Sequence, residues 1–177
     1  MSTSKELATL FRRDLAKLIQ QIESFPDDES LWQVLPGVAN PAGNLALHLQ
    51  GNLREYVGRQ LGQLSYVRNR PLEFSTRGLS KREVCAQLAE LRDTIPTVIE
   101  NLPEQELEME YREVVLERAT STREFLIHLY GHLNWHLGQV NYLRRILNNT
   151  NKELRAIPKS RMKNLTTKTR RLKDTNR

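Results

Sequence analysis

The chain has 177 residues, of which 38% are hydrophobic and 27% charged, and its formal net charge is +6. Its single cysteine excludes an internal disulfide bond, and no apolar run approaches the roughly 20 residues that a membrane-spanning helix needs. The first residues also lack the apolar stretch of a signal peptide, so we expect a soluble, cytoplasmic, single-domain protein without a membrane partner.

Four long stretches of the chain have apolar residues at the spacing of an amphipathic helix. They cover residues 4–24, 42–63, 80–101 and 121–148. Four helices of about 20 residues or more predict an all-α protein built as an antiparallel four-helix bundle.

The third and fourth helices begin with the same sequence signal, a serine followed three residues later by a glutamate. Ser80 precedes Glu83 in this way, and Ser121 precedes Glu124. The pattern predicts a capping box, in which each side chain accepts a hydrogen bond from the other residue's backbone N–H. Pro96 lies near the end of the third helix, where we expect it to kink or to shorten that helix.

The connections between the helices are less regular. Residues 25–41 and 64–79 contain prolines and glycines and are predicted to be loops. Residues 104–120 alternate between apolar and polar side chains, which indicates a short hairpin or an extended strap.

The positive charge of the chain is concentrated at its C-terminal end. Residues 151–177 hold ten Lys/Arg and two Asp/Glu, a net charge of +8, whereas the first 150 residues have a net charge of −2. The C-terminal segment has few apolar side chains, so burial cannot offset the entropy lost on ordering it. We therefore predict a bundle domain over 1–150 and a basic, disordered tail over 151–177.

The four histidines are confined to two of the predicted helices. His128, His132 and His136 follow one another at intervals of four residues in the fourth helix, and His48 lies among leucines of the second. Residues four apart are separated by about 40° around a helix axis, so the three imidazoles share one face. Leucines flank that face, so we expect the imidazoles to point into or near the core, where all four histidines could converge.

Two interpretations of these histidines remain open on the residues alone. A single histidine in an apolar helix is more often a core residue whose ring nitrogens are satisfied by hydrogen bonds. Two histidines at i and i+4 can instead bind one divalent ion, with a third ligand from a facing helix. In that interpretation His132 and His136 form the pair, His48 is the third ligand, and His128 belongs to the surrounding pocket.

Three sequence patterns resemble the DinB-like superfamily. H-x3-H-x3-H-x-G-Q, residues 128–139, resembles its last helix, and N-L-A-L-H-L, residues 44–49, resembles its second-helix motif. R-N-R-P-L-E-F, residues 68–74, is similar to a branch of unknown function. The resemblance covers about residues 5–148 and implies a four-helix bundle with one divalent metal ion, commonly nickel or zinc.

Carried over residue by residue, the resemblance implies the metal ligands His48, His132 and His136. Where many superfamily members have H-H-R-G-Q, this chain has W-H-L-G-Q, beginning at Trp135. The change removes a histidine that is not a ligand in the superfamily, so the implied triad is intact. It also replaces an arginine by Leu137.

A metal ion held by three imidazoles keeps positions open for water, a thiolate or a carbonyl oxygen. Some DinB-like branches resemble thiol transferases, so the leading hypothesis is metal-dependent transfer of a small-molecule thiol, with hydrolysis as a second possibility. No catalytic residue is assigned. Asn52, Glu55 and Gln139 are candidates for proton handling, although each is more often a structural hydrogen-bonding residue.

Three further side chains are predicted to be structural. We expect Tyr130 and Trp135 to pack rather than to form a substrate platform. Cys85 belongs to no motif and is expected to pack in the third helix rather than to act as a nucleophile.

Other classes of function stay open beside the enzyme. The metal ion could bind a ligand without turnover or simply stabilise the bundle. The basic tail could neutralise nucleic-acid phosphates, but it has no aromatic residue on which bases could stack, so a solvated tail is the favoured interpretation. A homodimer is also expected, with no face predicted for it.

Overall fold

The computed structural model describes residues 2–156, and it describes side chains up to residue 149. This part of the chain contains six α-helices and no β-strand. The helices are α1 (Thr3–Glu23), α2 (Ala42–Leu53), α3 (Arg70–Ser75), α4 (Lys81–Glu100), α5 (Glu104–Glu108) and α6 (Thr122–Ala156).

The four long helices pack into the predicted four-helix bundle, which confirms the fold class. Helix α1 lies against α4 and α6, and α2 lies against α4 and α6 from the other side. All four contribute leucines and other apolar side chains to one core, among them Phe11, Leu15, Leu49, Leu88, Leu91, Leu129 and Leu133. Within the described range, no helix is long and apolar enough to cross a membrane.

A buried carboxylate links α1 to α6. The Asp14 side chain accepts hydrogen bonds from the Tyr130 hydroxyl at 2.6 Å and from Arg13 Nε at 2.8 Å, and it pairs with Lys17 at 2.9 Å. Burial alone would raise the pKa of Asp14, but these donors outweigh it and hold the pKa well below its ordinary value. Tyr130 also packs edge-on against Phe11, at 5.5 Å between ring centroids, which fits the packing role predicted for it.

The second predicted helix changes its winding after Leu53. Residues Arg54–Arg59 form a π-helical turn, in which the Gln60 N–H donates to the Glu55 carbonyl oxygen at 3.2 Å. The predicted helix over 42–63 is therefore an α-helix only in its first half. Such turns insert an extra residue and shift the direction of the side chains that follow.

The two predicted capping boxes have different outcomes. Ser80 and Glu83 form the complete box, with backbone-to-side-chain distances of 2.8 and 3.2 Å. At α6, Ser121 Oγ accepts from the Glu124 N–H at 3.2 Å, but the Glu124 carboxylate pairs with Arg118 instead. Half of the second box is therefore present.

Pro96 neither shortens nor ends α4. The helix continues through it to Glu100, and the proline ring is buried in the core. Because proline has no N–H, this helix lacks the hydrogen bond that residue 96 would otherwise donate to the preceding turn.

The connection between α4 and α6 contains a short helix and then a hairpin-like strap, residues 109–121. Isolated antiparallel bridges join Glu110 to Ser121 and Val115 to Arg118. At the tip of the strap, residues 116 and 117 have φ values of 55° and 60°. Two successive positive φ values are typical of a tight hairpin turn, so the predicted strap is present and begins after α5.

Helix α6 is longer than the sequence predicted, because it continues past residue 148 to Ala156. The first six residues of the predicted tail therefore belong to this helix. The rest of the tail, residues 157–177, lies outside the described residues, so its disorder stays a prediction.

Candidate metal centre

Helices α2 and α6 bring three histidines together at their contact. His48 comes from the middle of α2, and His132 and His136 lie one turn apart on α6. The Nε2 atom of His132 is 3.2 Å from Nε2 of His48 and 3.1 Å from Nε2 of His136. One ring nitrogen from each residue lies within 4.8 Å of the other two, an arrangement that could hold a metal ion.

The partners of the outward-facing nitrogens fix how these rings are protonated. His48 Nδ1 lies 2.8 Å from Glu73 Oε2, and a carboxylate can only accept, so this nitrogen carries the proton. His136 Nδ1 lies 2.7 Å from the Gln139 amide oxygen and donates in the same way. Neutral His48 and His136 therefore both point an Nε2 lone pair at His132.

Hydrogen bonds among the three histidines cannot satisfy both of the lone pairs that face His132. A proton on His132 Nε2 would donate well to only one of the two facing lone pairs, since a ring nitrogen carries a single N–H. A cation among the three nitrogens would satisfy all of them. Tetrahedral zinc with Zn–N bonds of about 2.0–2.1 Å would separate its ligand nitrogens by roughly 3.3 Å, close to the two distances from His132 Nε2.

Burial keeps the α6 histidines in the neutral form that binds metals. Burial lowers the pKa of His132, and the neighbouring imidazoles of His136 and His48 act in the same direction, so that together they bring it to about 4. Burial also lowers the pKa of His136, against the raising effect of its hydrogen bond to Gln139. Both rings are therefore neutral at pH 7, and each has one nitrogen lone pair available to a metal ion.

Glu73 in α3 is held by an arginine as well as by His48. Arg68 Nε donates to Glu73 Oε1 at 2.7 Å, and its Nη2 donates to Oε2 at 3.0 Å. The glutamate is only 6% exposed, so its charge needs this bidentate partner. Asn44 anchors the end of α3 by donating to the Glu73 carbonyl oxygen at 2.8 Å.

Arg68 and Glu73 lie within the R-N-R-P-L-E-F pattern, but no role was predicted for either residue. A signal was available, because an acidic residue inside a conspicuous motif is a natural partner for a ligand histidine. Glu73 is 25 residues from His48 along the chain, so the sequence alone did not indicate that the two are in contact.

A cavity of 710 Å³ opens beside two of the three histidines, His48 and His132. It is bounded on one side by His48 and His132 and on the other by the tip of the strap. The remaining lining residues are Asn52, Tyr56, Arg68, Arg70, Phe125, His128 and Leu129. This volume is in the range that small-molecule sites occupy.

The other predicted site residues have different outcomes. His128 lies in the wall of the cavity, exposed and stacked on Phe125 at 5.9 Å between ring centroids, and it is outside the cluster of three. Asn52 lines the cavity and Gln139 holds His136. Glu55 instead accepts from Arg59 Nε at 2.8 Å and does not line this cavity.

Two side chains test the packing predictions. Trp135 is 69% exposed, so the prediction that it packs against the rest of its own chain is wrong for the described residues. Cys85 is half-buried, and burial raises the pKa of its thiol to about 11. A thiol that stays protonated at neutral pH is a poor nucleophile, which fits the structural role predicted for Cys85.

Gly51 makes room for the Glu73 carboxylate. A Cβ atom at this position would lie 2.6 Å from the carboxyl carbon of Glu73, which Arg68 and His48 hold in place. The same atom at Gly58, one and a half turns beyond the end of α2, would meet nothing closer than 3.7 Å. A glycine is therefore needed at position 51, whereas position 58 has room for a larger residue.

We predict that Gly51→Ala lowers the free energy of unfolding by about 1–3 kcal/mol, because the added methyl group displaces a buried ion pair. Gly58→Ala should be neutral or stabilising by up to about 1 kcal/mol. Urea denaturation of the two variants and the wild type measures both effects. Equal stability of Gly51→Ala and Gly58→Ala would show that Glu73 is not held as described.

The fold and its site can now be compared with known proteins. A crystal structure of a DinB-like protein from Bacillus cereus ATCC 10987 superimposes with a TM-score of 0.59 at 16% sequence identity. The match covers 76% of this chain and 86% of the other, and at this identity it shows the shared fold. No curated protein matches the chain. Residues 3–161 match the family described as "Protein of unknown function (DUF1572)", and the chain belongs to that family.

Proposed function

We propose that this protein binds one divalent transition-metal ion through the Nε2 atoms of His48, His132 and His136. The convergence of these three nitrogens, two of them with lone pairs fixed toward the third, is the observation that supports the proposal. Imidazole ligands suit nickel and zinc, which are the ions we expect. A closed structural zinc site usually has four protein ligands, so three leave a position for a small molecule.

We infer that the bound small molecule is a substrate and that the protein is an enzyme, a metal-dependent thiol transferase or a hydrolase. When bound, the ion would lower the pKa of a thiol or a water molecule and so prepare it for attack. The cavity beside His48 and His132 gives such a molecule access to the site. Phe125 and the strap supply apolar walls, and Arg70 supplies a positive charge. A non-catalytic metal-binding bundle is the alternative.

Metal content tests the first part of the proposal. Protein purified without a chelator, or reconstituted with Ni²⁺ or Zn²⁺ and desalted, should carry about one ion per chain by mass spectrometry. His132→Ala should lose it, because this residue supplies the central nitrogen of the three. His128→Ala removes an imidazole from the same helix and should keep it. Full loss in both variants, or in neither, would contradict the assigned ligands.

Cobalt substitution tests the class of reaction. If a thiol binds the open position, adding 2-mercaptoethanol or cysteine to Co²⁺-loaded protein should produce a sulfur-to-cobalt charge-transfer band in the near-ultraviolet. The band should be absent from His132→Ala treated in the same way. If Co²⁺-loaded wild type shows no band with either thiol, thiol transfer is excluded as the function, and hydrolysis and ligand binding without turnover remain.

The third histidine lacks the outward partner that the other two have. With Nε2 committed to an ion, His132 Nδ1 must carry the proton, yet this buried atom has no partner among the described residues. Asn52 Oδ1, one turn after His48 on the facing helix, is also buried and unpartnered. The two atoms are complementary, and both residues line the same cavity. We infer that Asn52 accepts this hydrogen bond when the ion is bound.

Asn52→Leu keeps the size of the side chain and removes the acceptor, so it should weaken zinc binding by about 10- to 100-fold. Asn52→Asp retains an acceptor and should bind zinc nearly as well as the wild type. In Zn²⁺-loaded protein, the His132 Nδ1 proton should give a slowly exchanging NMR signal in the wild type and in Asn52→Asp. Persistence of that signal in Asn52→Leu, with unchanged affinity, would exclude this role.

A further inference from the structure

Helix α6 has an exposed face without charged residues. Between Glu124 and Arg144 the sequence contains no Asp, Glu, Lys or Arg, a stretch of about five turns. Trp135 and Tyr142 are each 69% exposed, and Ile127 is 53% exposed. A helix that meets only water normally carries charged and polar side chains on its outer side. This composition, rich in aromatic residues and poor in charges, is typical of the centre of a protein–protein interface.

Two glycines lie between these aromatic residues on the same side of the helix. Gly131, Trp135, Gly138 and Tyr142 follow one another at intervals of four, three and four residues, which places them in one stripe, here called the α6 face. No atom of the described chain lies within 4 Å of a Cβ built on either glycine. Each glycine costs about 1 kcal/mol of helix stability relative to alanine. Both glycines would be explained if the backbone of another helix approached closely at these positions.

The two ends of the α6 face carry opposite charge. At its N-terminal end, residues 104–124 hold seven Glu and three Arg, a net charge of −4. Near its C-terminal end lies the exposed Arg145, and the chain continues into residues 151–177 with a net charge of +8. A partner that lay along this face would therefore need the reverse order of charges.

A second copy of the same chain has that order when its helix runs in the opposite direction. Glu124 and Arg145 lie 11 and 10 residues from Trp135, which is about 15 Å on either side of it. An antiparallel pair centred at Trp135 would therefore place Glu124 of each copy, which also pairs with Arg118 of its own chain, near Arg145 of the other. A parallel pair would instead bring like charges together at both ends.

We propose that the α6 face binds a second copy of this chain in an antiparallel, two-fold arrangement. Such an interface is self-complementary, since each contact occurs twice about the axis. Trp135 lies at its centre, where aromatic side chains carry most of the binding energy, and the opposite charges at its ends set the direction. A nucleic acid does not suit this face, because phosphates need basic side chains and the face has none.

The central residue tests the surface. Sedimentation equilibrium of the full chain should give a dimer for the wild type and a monomer for Trp135→Glu, because a charge would be buried without a partner. Val67→Glu is the control, since Val67 is 91% exposed and lies outside this face. Circular dichroism checks that each variant is folded, and Tyr142→Lys replaces Trp135→Glu if that variant is not. A monomeric wild type, or a dimer that both variants retain, would overturn the proposal.

The charges test the direction. Glu124→Arg and Arg145→Glu should each weaken the dimer by about tenfold, because each places like charges together at both ends of the interface. The double variant restores opposite charges and should recover most of the wild-type affinity. Two weakened single variants without recovery in the double variant would overturn the antiparallel arrangement. Metal content, measured on the same samples, separates failure of this proposal from failure of the metal centre.

Discussion

The buried Glu73 carboxylate is the interaction on which the centre depends. A carboxylate that is 6% exposed is stable only with partners, and this one has Arg68 on one side and His48 on the other. It fits only because Gly51 has no side chain, and it ties the short helix α3 to α2. Removing Arg68 would leave the buried charge of Glu73 without its counter-ion, and removing His48 would leave a hydrogen bond of Glu73 unmade. The ion pair therefore couples the loop before α4 to the bundle.

The same carboxylate decides what the histidines can do. By accepting a hydrogen bond from the Nδ1–H of His48, it leaves the Nε2 lone pair facing α6. Gln139 does the same for His136, so two lone pairs meet at His132. A core of satisfied histidines would instead give every ring nitrogen its own complementary partner. Ordinary core packing therefore leaves one of these lone pairs without a donor, whereas all three nitrogens could bind a cation.

The sequence predicted what depends on periodicity and missed what depends on contact across a loop. Apolar spacing located the four long helices, and the spacing of four residues brought His132 and His136 to one side of α6. Periodicity did not identify Glu73, because α3 is too short for a periodic pattern and the partner of Glu73 lies on another helix. The π-helical turn after Leu53 also escaped, since it changes hydrogen bonding without changing the apolar pattern.

The exposure of Trp135 was missed for a more general reason. Helix α6 has apolar residues around most of its circumference, and such a pattern does not distinguish a side that faces the core from one that faces a partner. The structure separates the two, because Leu133 is buried and Trp135, two residues later, is exposed. His132 and His136 lie between these sides, and Gln139 is exposed at the border. A partner on the α6 face would therefore lie next to the residue that orients His136, so the proposed dimer and the candidate metal centre would share one helix.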